Sequence, residues 1–287
     1  MTMQAPQVQI EPQTVMLDIG GTKIAVMRTG QGPSIVCLHA IAHGARDYLK
    51  LAERLGSRFT FYAIDFPGHG QSPFDGVVPT PKHYAALLER VADALDLKRF
   101  GILGCSIGGA TAIRYAAAHP DRVAAMALCN SGGIQKIGLL ARIVCGHYAR
   151  FFAKGERGDK TYAAKFHRYY ETVLPLAPAA WRREEIVADA YKTAGLLRQA
   201  WQNFAKPDAD IRALLPTLKC PVLFAWAKDD AANAWSRCKA AALTVPDHTI
   251  QMFDGGHAAF LETPDAFDAA LLKFVAVKVP QTASAAA

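Results

Sequence analysis

The stretch 100-FGILGCSIGGATAIRY-115 joins a short apolar run to an alanine-rich helical pattern, with glycines crowded at the junction. This order predicts a buried strand, a tight turn and a helix in direct succession. In such a turn the residues two before and two after the apex crowd together, so both must be small. Ser106 has glycine at both positions, whereas Cys105 has Leu103 and Ile107. We therefore predict Ser106, not Cys105, as a nucleophile.

The start of the helix adds a chemical reason for this assignment. Backbone N–H groups in the first turn of a helix have no partner within the helix and favour a developing negative charge. The N–H of Ile107 is accordingly predicted as one oxyanion donor. Cys105 lies in an apolar run, where a free cysteine packs as a small hydrophobe.

Outward from this stretch, the chain alternates between apolar runs and amphipathic patterns. The run 33-PSIVCLHA-40 precedes a helical pattern that ends near Gly56, and 123-VAAMALCN-130 follows the Ser106 helix. Alternation of this kind is typical of a doubly wound, mostly parallel sheet flanked by helices. Between 131 and 215 the rhythm changes to helical spacing with many aromatic and basic residues. A structureless loop of that length is implausible, so we predict a helical insertion.

The boundaries follow from this change of rhythm. We expect a first core segment at 1–130, a helical cap or lid at 131–215, a second core segment at 216–279 and a disordered tail at 280–287. The 287 residues, 51% hydrophobic and 20% charged, are enough to bury one large core with an insertion.

The formal net charge is +7, and most of it lies in the insertion, which has 14 Lys and Arg against 8 Asp and Glu. The surplus indicates either a solvated helical surface or an attraction for an anionic substrate. No nucleic-acid recognition motif accompanies the charge, so no nucleic-acid partner is expected.

Six cysteines without a CxxC pair indicate free thiols in a reducing compartment. The first residues carry no signal-peptide pattern, and no run of about 18 apolar residues predicts a membrane span. We therefore expect a cytoplasmic protein, monomeric or homodimeric, that does not interact with membranes.

Five segments together resemble the α/β-hydrolase family. They appear in the family's order: 35-IVCLHAIAHGARDY-48, 63-AIDFPGHGQSP-73, 104-GCSIGG-109, 221-PVLFAWAKDD-230 and 253-FDGGHAAFLETPDAF-267. The resemblance covers nearly all of the chain outside the insertion. It implies an eight-stranded sheet with a cap after the sixth strand, and a serine-nucleophile hydrolase that needs no metal or organic cofactor.

The resemblance also implies the partners of Ser106. His257, in a Gly-Gly-His loop after a strand, is the expected base. The acid is Asp229 or Asp230, and the family's spacing after a small residue favours Asp230. The N–H of Ile41 is the second expected oxyanion donor, although Ala40 stands beside it where the family usually has glycine.

Substrate-pocket candidates come from the segment after the third strand and from the insertion. A family lid covers the nucleophile, and its aromatic residues either line the pocket or pack the lid's own helices. Arg182 and Arg183 could likewise pair with Glu184 or Glu185 rather than bind substrate. The pocket candidates are His43, Phe151, Tyr169, Trp181 and Trp201.

Three functions fit these features. The first is hydrolysis of a small-to-medium carboxylic ester or lactone through an acyl-enzyme on Ser106. The second is C–C bond hydrolysis of an anionic ring-cleavage product, which the basic insertion would suit. The third is a ligand-binding sensor with vestigial hydrolase activity, against which the intact motifs argue.

Overall fold

The computed structural model describes residues 11–278, so the tail predicted at 280–287 lies outside the described part. Eight strands form one sheet in the order β1-β2-β4-β3-β5-β6-β7-β8. The β1–β2 and β2–β4 pairs are antiparallel and all other pairs are parallel, which confirms the predicted fold class. The strands are β1 Gln13–Ile19, β2 Thr22–Gly30, β3 Ser34–Leu38, β4 Thr60–Ile64, β5 Phe100–Cys105, β6 Val123–Cys129, β7 Val222–Ala227 and β8 His248–Phe253.

The edge hairpin and the central strands follow from different sequence patterns. Gly20 and Gly21 join β1 to β2 with φ of 63° and 87°, a left-handed pair that a two-residue hairpin turn favours. By contrast, all six residues of β7 are buried, because helices cover both faces of a parallel sheet. That burial explains its uninterrupted apolar run.

The helices of the core connect the parallel strands. α1 packs against α10, while α2 packs against α3. The pattern predicted as one helix before Gly56 begins as a 3₁₀ helix at Ala45–Tyr48. None of the helices within residues 11–278 is long and apolar enough to cross a membrane. The core helices are α1 Leu49–Leu55, α2 Pro81–Ala94, α3 Ile107–Ala118, α8 Trp235–Ala242, α9 Ala259–Glu262 and α10 Pro264–Lys278.

Four α-helices occupy the chain between β6 and β7. They are α4 Leu139–Glu156, α5 Tyr162–Val173, α6 Ala180–Ala188 and α7 Ala190–Phe204. α4 packs along α7, and fully buried aromatic rings such as Phe152 and Phe166 fill the space between the helices. This segment therefore has an aromatic core of its own beside the sheet.

Candidate active site

Ser106 stands at the apex of the turn between β5 and α3. Its backbone has φ 55° and ψ −117°, a left-handed conformation that is costly for a residue with a side chain. The flanking glycines make the turn sterically possible. A Cβ on Gly104 would lie 2.7 Å from the Gly108 carbonyl oxygen, and one on Gly108 would lie 2.0 Å from the Leu38 carbonyl oxygen.

Backbone hydrogen bonds hold this apex in place. The Ser106 N–H donates to the Cys129 carbonyl at 3.1 Å, and its own carbonyl accepts from Ala110 at 3.1 Å and Gly132 at 2.9 Å. Within residues 11–278, the hydroxyl forms no hydrogen bond to the His257 ring. Nucleophile–base contacts are often loose without substrate and tighten in the reactive complex, so this geometry is compatible with catalysis.

His257 and Asp230 form a buried pair beyond the ends of β8 and β7. Nδ1 of His257 lies 2.8 Å from Oδ2 of Asp230, and the other carboxylate oxygen accepts from the N–H groups of Ala232 and Asn233 at 2.8 and 3.0 Å. Asp229 is exposed, and its N–H donates to a loop carbonyl. The structure thus brings Asp230, and not Asp229, to His257.

The pair changes the proton affinity of both groups. Burial opposes ionisation of either side chain, but their mutual attraction and hydrogen bond outweigh it. The pKa of Asp230 is therefore lowered and the pKa of His257 is raised. An ionised Asp230 assigns the proton of a neutral ring to Nδ1, which leaves Nε2 able to accept a proton.

Cys105 is the last residue of β5 and directly precedes Ser106. Its thiol is completely buried and contacts the His257 carbonyl oxygen at 3.6 Å. Burial raises the pKa of this thiol well above its usual range. The thiol therefore packs the end of β5 against the loop that contains His257, in a form with little nucleophilic character.

The two predicted oxyanion donors lie in the loop after β3, which contains Ile41, and at the first residue of α3, Ile107. Within the described part of the chain, the N–H groups of Ile41 and Ile107 have no backbone or side-chain acceptor. The residue with positive φ in the first loop is Ala42, at 64°, whose N–H donates to Nε2 of His69 at 3.0 Å. Ala40 lies outside the left-handed region, so a Cβ there does not strain the loop.

Glu262 is the first site residue that sequence reasoning missed. Its carboxylate is almost completely buried and accepts the consecutive N–H groups of Gly256, His257 and Ala258 at 2.9, 2.9 and 3.2 Å. The N–H of Leu176, from the segment before α6, adds a longer bond at 3.4 Å. Three successive amides around one anion form a nest that fixes the backbone of the histidine loop.

Asn130, which follows β6, is the second missed residue. Its Nδ2 donates to Oδ2 of Asp230 at 2.8 Å, and its Oδ1 accepts the Ala227 N–H at 2.9 Å. Its φ is 41°, a left-handed value that asparagine tolerates better than most residues. For Asn130 the only sequence signal was a polar residue directly after an apolar strand, and Glu262 gave no comparable signal.

His43 is buried in the segment that follows β3. Nδ1 lies 2.7 Å from Oδ2 of Asp47, and Nε2 is buried with no hydrogen-bond partner among residues 11–278. The other carboxylate oxygen of Asp47 accepts a hydrogen bond from Nε of Arg182 at 2.6 Å. Nη1 of Arg182 also donates to the carboxylate of Glu185 at 2.9 Å. The Arg182 cation is therefore neutralised by the protein itself.

The aromatic pocket candidates fall into two places. Phe151, Tyr169 and Trp201 belong to the ring cluster between α4, α5 and α7. Burial raises the pKa of Tyr169, and the charges of Tyr148 and Asp230 add to that rise. Trp181 lies apart, with the ammonium of Lys50 4.4 Å from its ring centre.

A doubly wound sheet that carries a strained serine turn and a His–Asp pair beyond its strand ends belongs to the general class of α/β hydrolases. The model of the alpha/beta hydrolase fold family matches residues 33–264, so the chain belongs to this family and is a hydrolase of it.

The relatives include pimeloyl-[acyl-carrier protein] methyl ester esterases. The protein from Stenotrophomonas maltophilia (strain R551-3) is 30% identical over 261 residues, which cover 86% of this chain and 95% of the relative. The protein from Chromobacterium violaceum is 28% identical over 255 residues, covering 84% and 94%. A thermophilic esterase from Thermogutta terrifontis shares the fold, with a TM-score of 0.78 at 21% identity over 93% of this chain and 99% of that one.

Proposed function

We propose that the chain hydrolyses a small-to-medium carboxylic ester through an acyl-enzyme on Ser106. The observation that carries this proposal is the 2.8 Å contact between His257 and Asp230, in a loop that Cys105 joins to the serine turn. Acyl transfer requires a base that is oriented by a buried carboxylate and can reach the nucleophilic hydroxyl once substrate is bound.

Each step of the proposed reaction uses a named group. Ser106 Oγ attacks the ester carbonyl carbon while Nε2 of His257 takes the hydroxyl proton, and Asp230 stabilises the resulting imidazolium. The N–H groups of Ile41 and Ile107 bind the oxyanion, and losing one such donor typically costs about 3 kcal/mol of transition-state stabilisation. His257 then protonates the leaving alcohol, and water releases the acid by the same sequence.

The surroundings favour an ester over the C–C bond alternative. That alternative relied on basic residues to bind an anionic substrate, but several cations of the 131–215 segment are paired within the protein. Arg182 pairs with Asp47 and Glu185, and Arg198 with Glu156. The names of the two bacterial relatives point in the same direction, since both are called methyl ester esterases.

We extend the proposal to the 131–215 segment, which acts as a lid over the acyl group. Its aromatic cluster gives an apolar surface near Asp230, on which an alkyl chain can pack. The ring of His43 borders this region through Tyr170, with 5.8 Å between ring centres. Its unpaired Nε2 accepts a hydrogen bond from a polar group of the substrate.

A panel of 4-nitrophenyl esters from acetate to octanoate tests the proposal. Wild type should hydrolyse a subset of the panel, and Ser106→Ala should lower kcat/KM by at least about 10³-fold. Ser236→Ala, an exposed serine on α8, serves as the matched control and should leave the rate unchanged. Failure of the folded wild type on every ester of the panel would contradict the proposal and favour the sensor function instead.

A further inference from the structure

A second hollow lies at the opposite edge of the sheet from Ser106. It has a volume of about 160 Å³ and lies between the first halves of β3, β5 and β6 and the helix α10. Gly101, which lines it, is five residues from Ser106 along β5, or roughly 16 Å at strand spacing. The cavity is therefore separate from the candidate active site.

The sequence of the two central strands creates this space. Gly101 pairs with Ala125, and two residues further on Leu103 pairs with Ala127. These four residues share one face of the sheet, and all of them except Leu103 are small. Leu271 and Phe274 of α10 form the opposite wall without filling the gap. A Cβ on Gly101 would contact Ile35 at an ordinary 3.6 Å, so nothing in the backbone requires glycine there.

The mouth of the cavity carries a positive charge. Arg99 lines it and is exposed, and within residues 11–278 its guanidinium forms no ion pair or hydrogen bond. Ser34 is the other polar side chain in a lining that is otherwise aliphatic or aromatic apart from backbone groups. A free guanidinium at the rim of an apolar hollow suits a carboxylate attached to a short alkyl chain.

We propose that this cavity binds a short aliphatic carboxylate, with the alkyl chain between the sheet and α10 and the carboxylate on Arg99. An apolar protein cavity of about 150 Å³ is known to hold benzene, so a chain of about six carbons matches the space. The site does not depend on the proposed ester hydrolysis, and no bond is made or broken in it.

Calorimetric titration of sodium hexanoate into the Ser106→Ala protein tests the site without turnover. Hexanoate should bind, while acetate, which lacks the chain, and hexylamine, which has the wrong charge, should show no binding at the same concentrations. Arg99→Gln should weaken hexanoate binding at least about tenfold, since it removes a charge-assisted pair. Arg90→Gln on α2, an exposed arginine without a described ion pair, should bind as the parent does.

Two cavity-filling variants locate the ligand. Ala125→Leu should abolish binding, and the milder Gly101→Ala should weaken it even if the leucine variant does not fold. Unchanged hexanoate affinity in Arg99→Gln and Gly101→Ala would place the ligand elsewhere and overturn the proposal. So would the absence of hexanoate binding to the folded parent protein.

Discussion

The nest around Glu262 gives the prediction that reaches furthest from the reacting atoms. Glu262→Gln keeps the shape of the side chain but removes the charge that the N–H groups of Gly256, His257 and Ala258 share. Hydrogen bonds to a charged acceptor contribute about 1.5–3 kcal/mol each, against about 1 kcal/mol for neutral ones. Three charge-assisted bonds become neutral ones in the variant, and the lower cost of burying an amide offsets part of that loss. The free energy of unfolding should therefore fall by about 2 kcal/mol. The melting temperature should fall by about 5 °C.

Catalysis should suffer more than stability. A ring displacement on the order of 1 Å lowers the rate by about 10²-fold, so kcat should drop 10- to 100-fold while KM changes by less than about twofold. The negative charge of Glu262 also helps to raise the pKa of His257. Because only the neutral ring accepts the Ser106 proton, the acid limb of kcat/KM should move to lower pH in the variant.

A pH–rate profile with a good ester, beside thermal unfolding of the same samples, measures all three effects. Glu53→Gln, an exposed glutamate on α1, is the matched control and should change none of them. If Glu262→Gln lost stability but kept its kcat and its acid limb, the nest would be structural only, and the positioning role would be wrong.

Four further predictions follow from the contacts around the site. In Asp230→Asn the His257 ring stays buried but loses the carboxylate, so its pKa should fall below 6.5 and the acid limb of kcat/KM should move to lower pH. The kcat should fall by about 10⁴-fold, and an acid limb that does not move would count against the pair. Because the pKa of Asp230 is lowered in the folded state, the stability that its charge adds above pH 3.8 should be lost as the pH falls through the lowered pKa. Urea unfolding at a series of pH values should show this loss in the wild type and not in Asp230→Asn. Mass spectrometry should show that Cys105 resists iodoacetamide at pH 8 in the folded protein, because its thiol is buried and its pKa is raised. Cys105→Ala should keep the rate of ester hydrolysis, and a rate as low as that of Ser106→Ala would contradict the packing role of Cys105. Arg182→Met should cost about 3–5 kcal/mol in urea unfolding, because Asp47 is left buried without this partner, and a change under about 1 kcal/mol would refute the pairing.

Local patterns were sufficient for most of the fold. The alternation of strand and helix patterns can be read from neighbouring residues, and the sheet confirms it. The preference for Ser106 over Cys105 rested on two glycines within two residues, a steric condition that any reader of the chain can check. Identification of Ser106 as the nucleophile stays a prediction for experiment.

Contacts between distant segments were beyond the same reasoning. Asn130 meets Asp230 only because β6 and β7 are neighbours, although 100 residues separate the two in sequence. Glu262 is four to six residues from the amides it binds, yet its pattern reads as an ordinary helical glutamate, and only the turn into α9 reveals it. Trp181 contacts Lys50 of α1 rather than the aromatic cluster, and no residue near either one in sequence indicates that contact.

The most direct test of the central claim is fluorophosphonate labelling followed by intact-mass and peptide mass spectrometry. The proposed mechanism predicts one adduct per chain, on Ser106, which disappears in Ser106→Ala, persists in Cys105→Ala and forms much more slowly in His257→Ala. An adduct on a different residue of the folded protein, or undiminished labelling of Ser106→Ala, would contradict it.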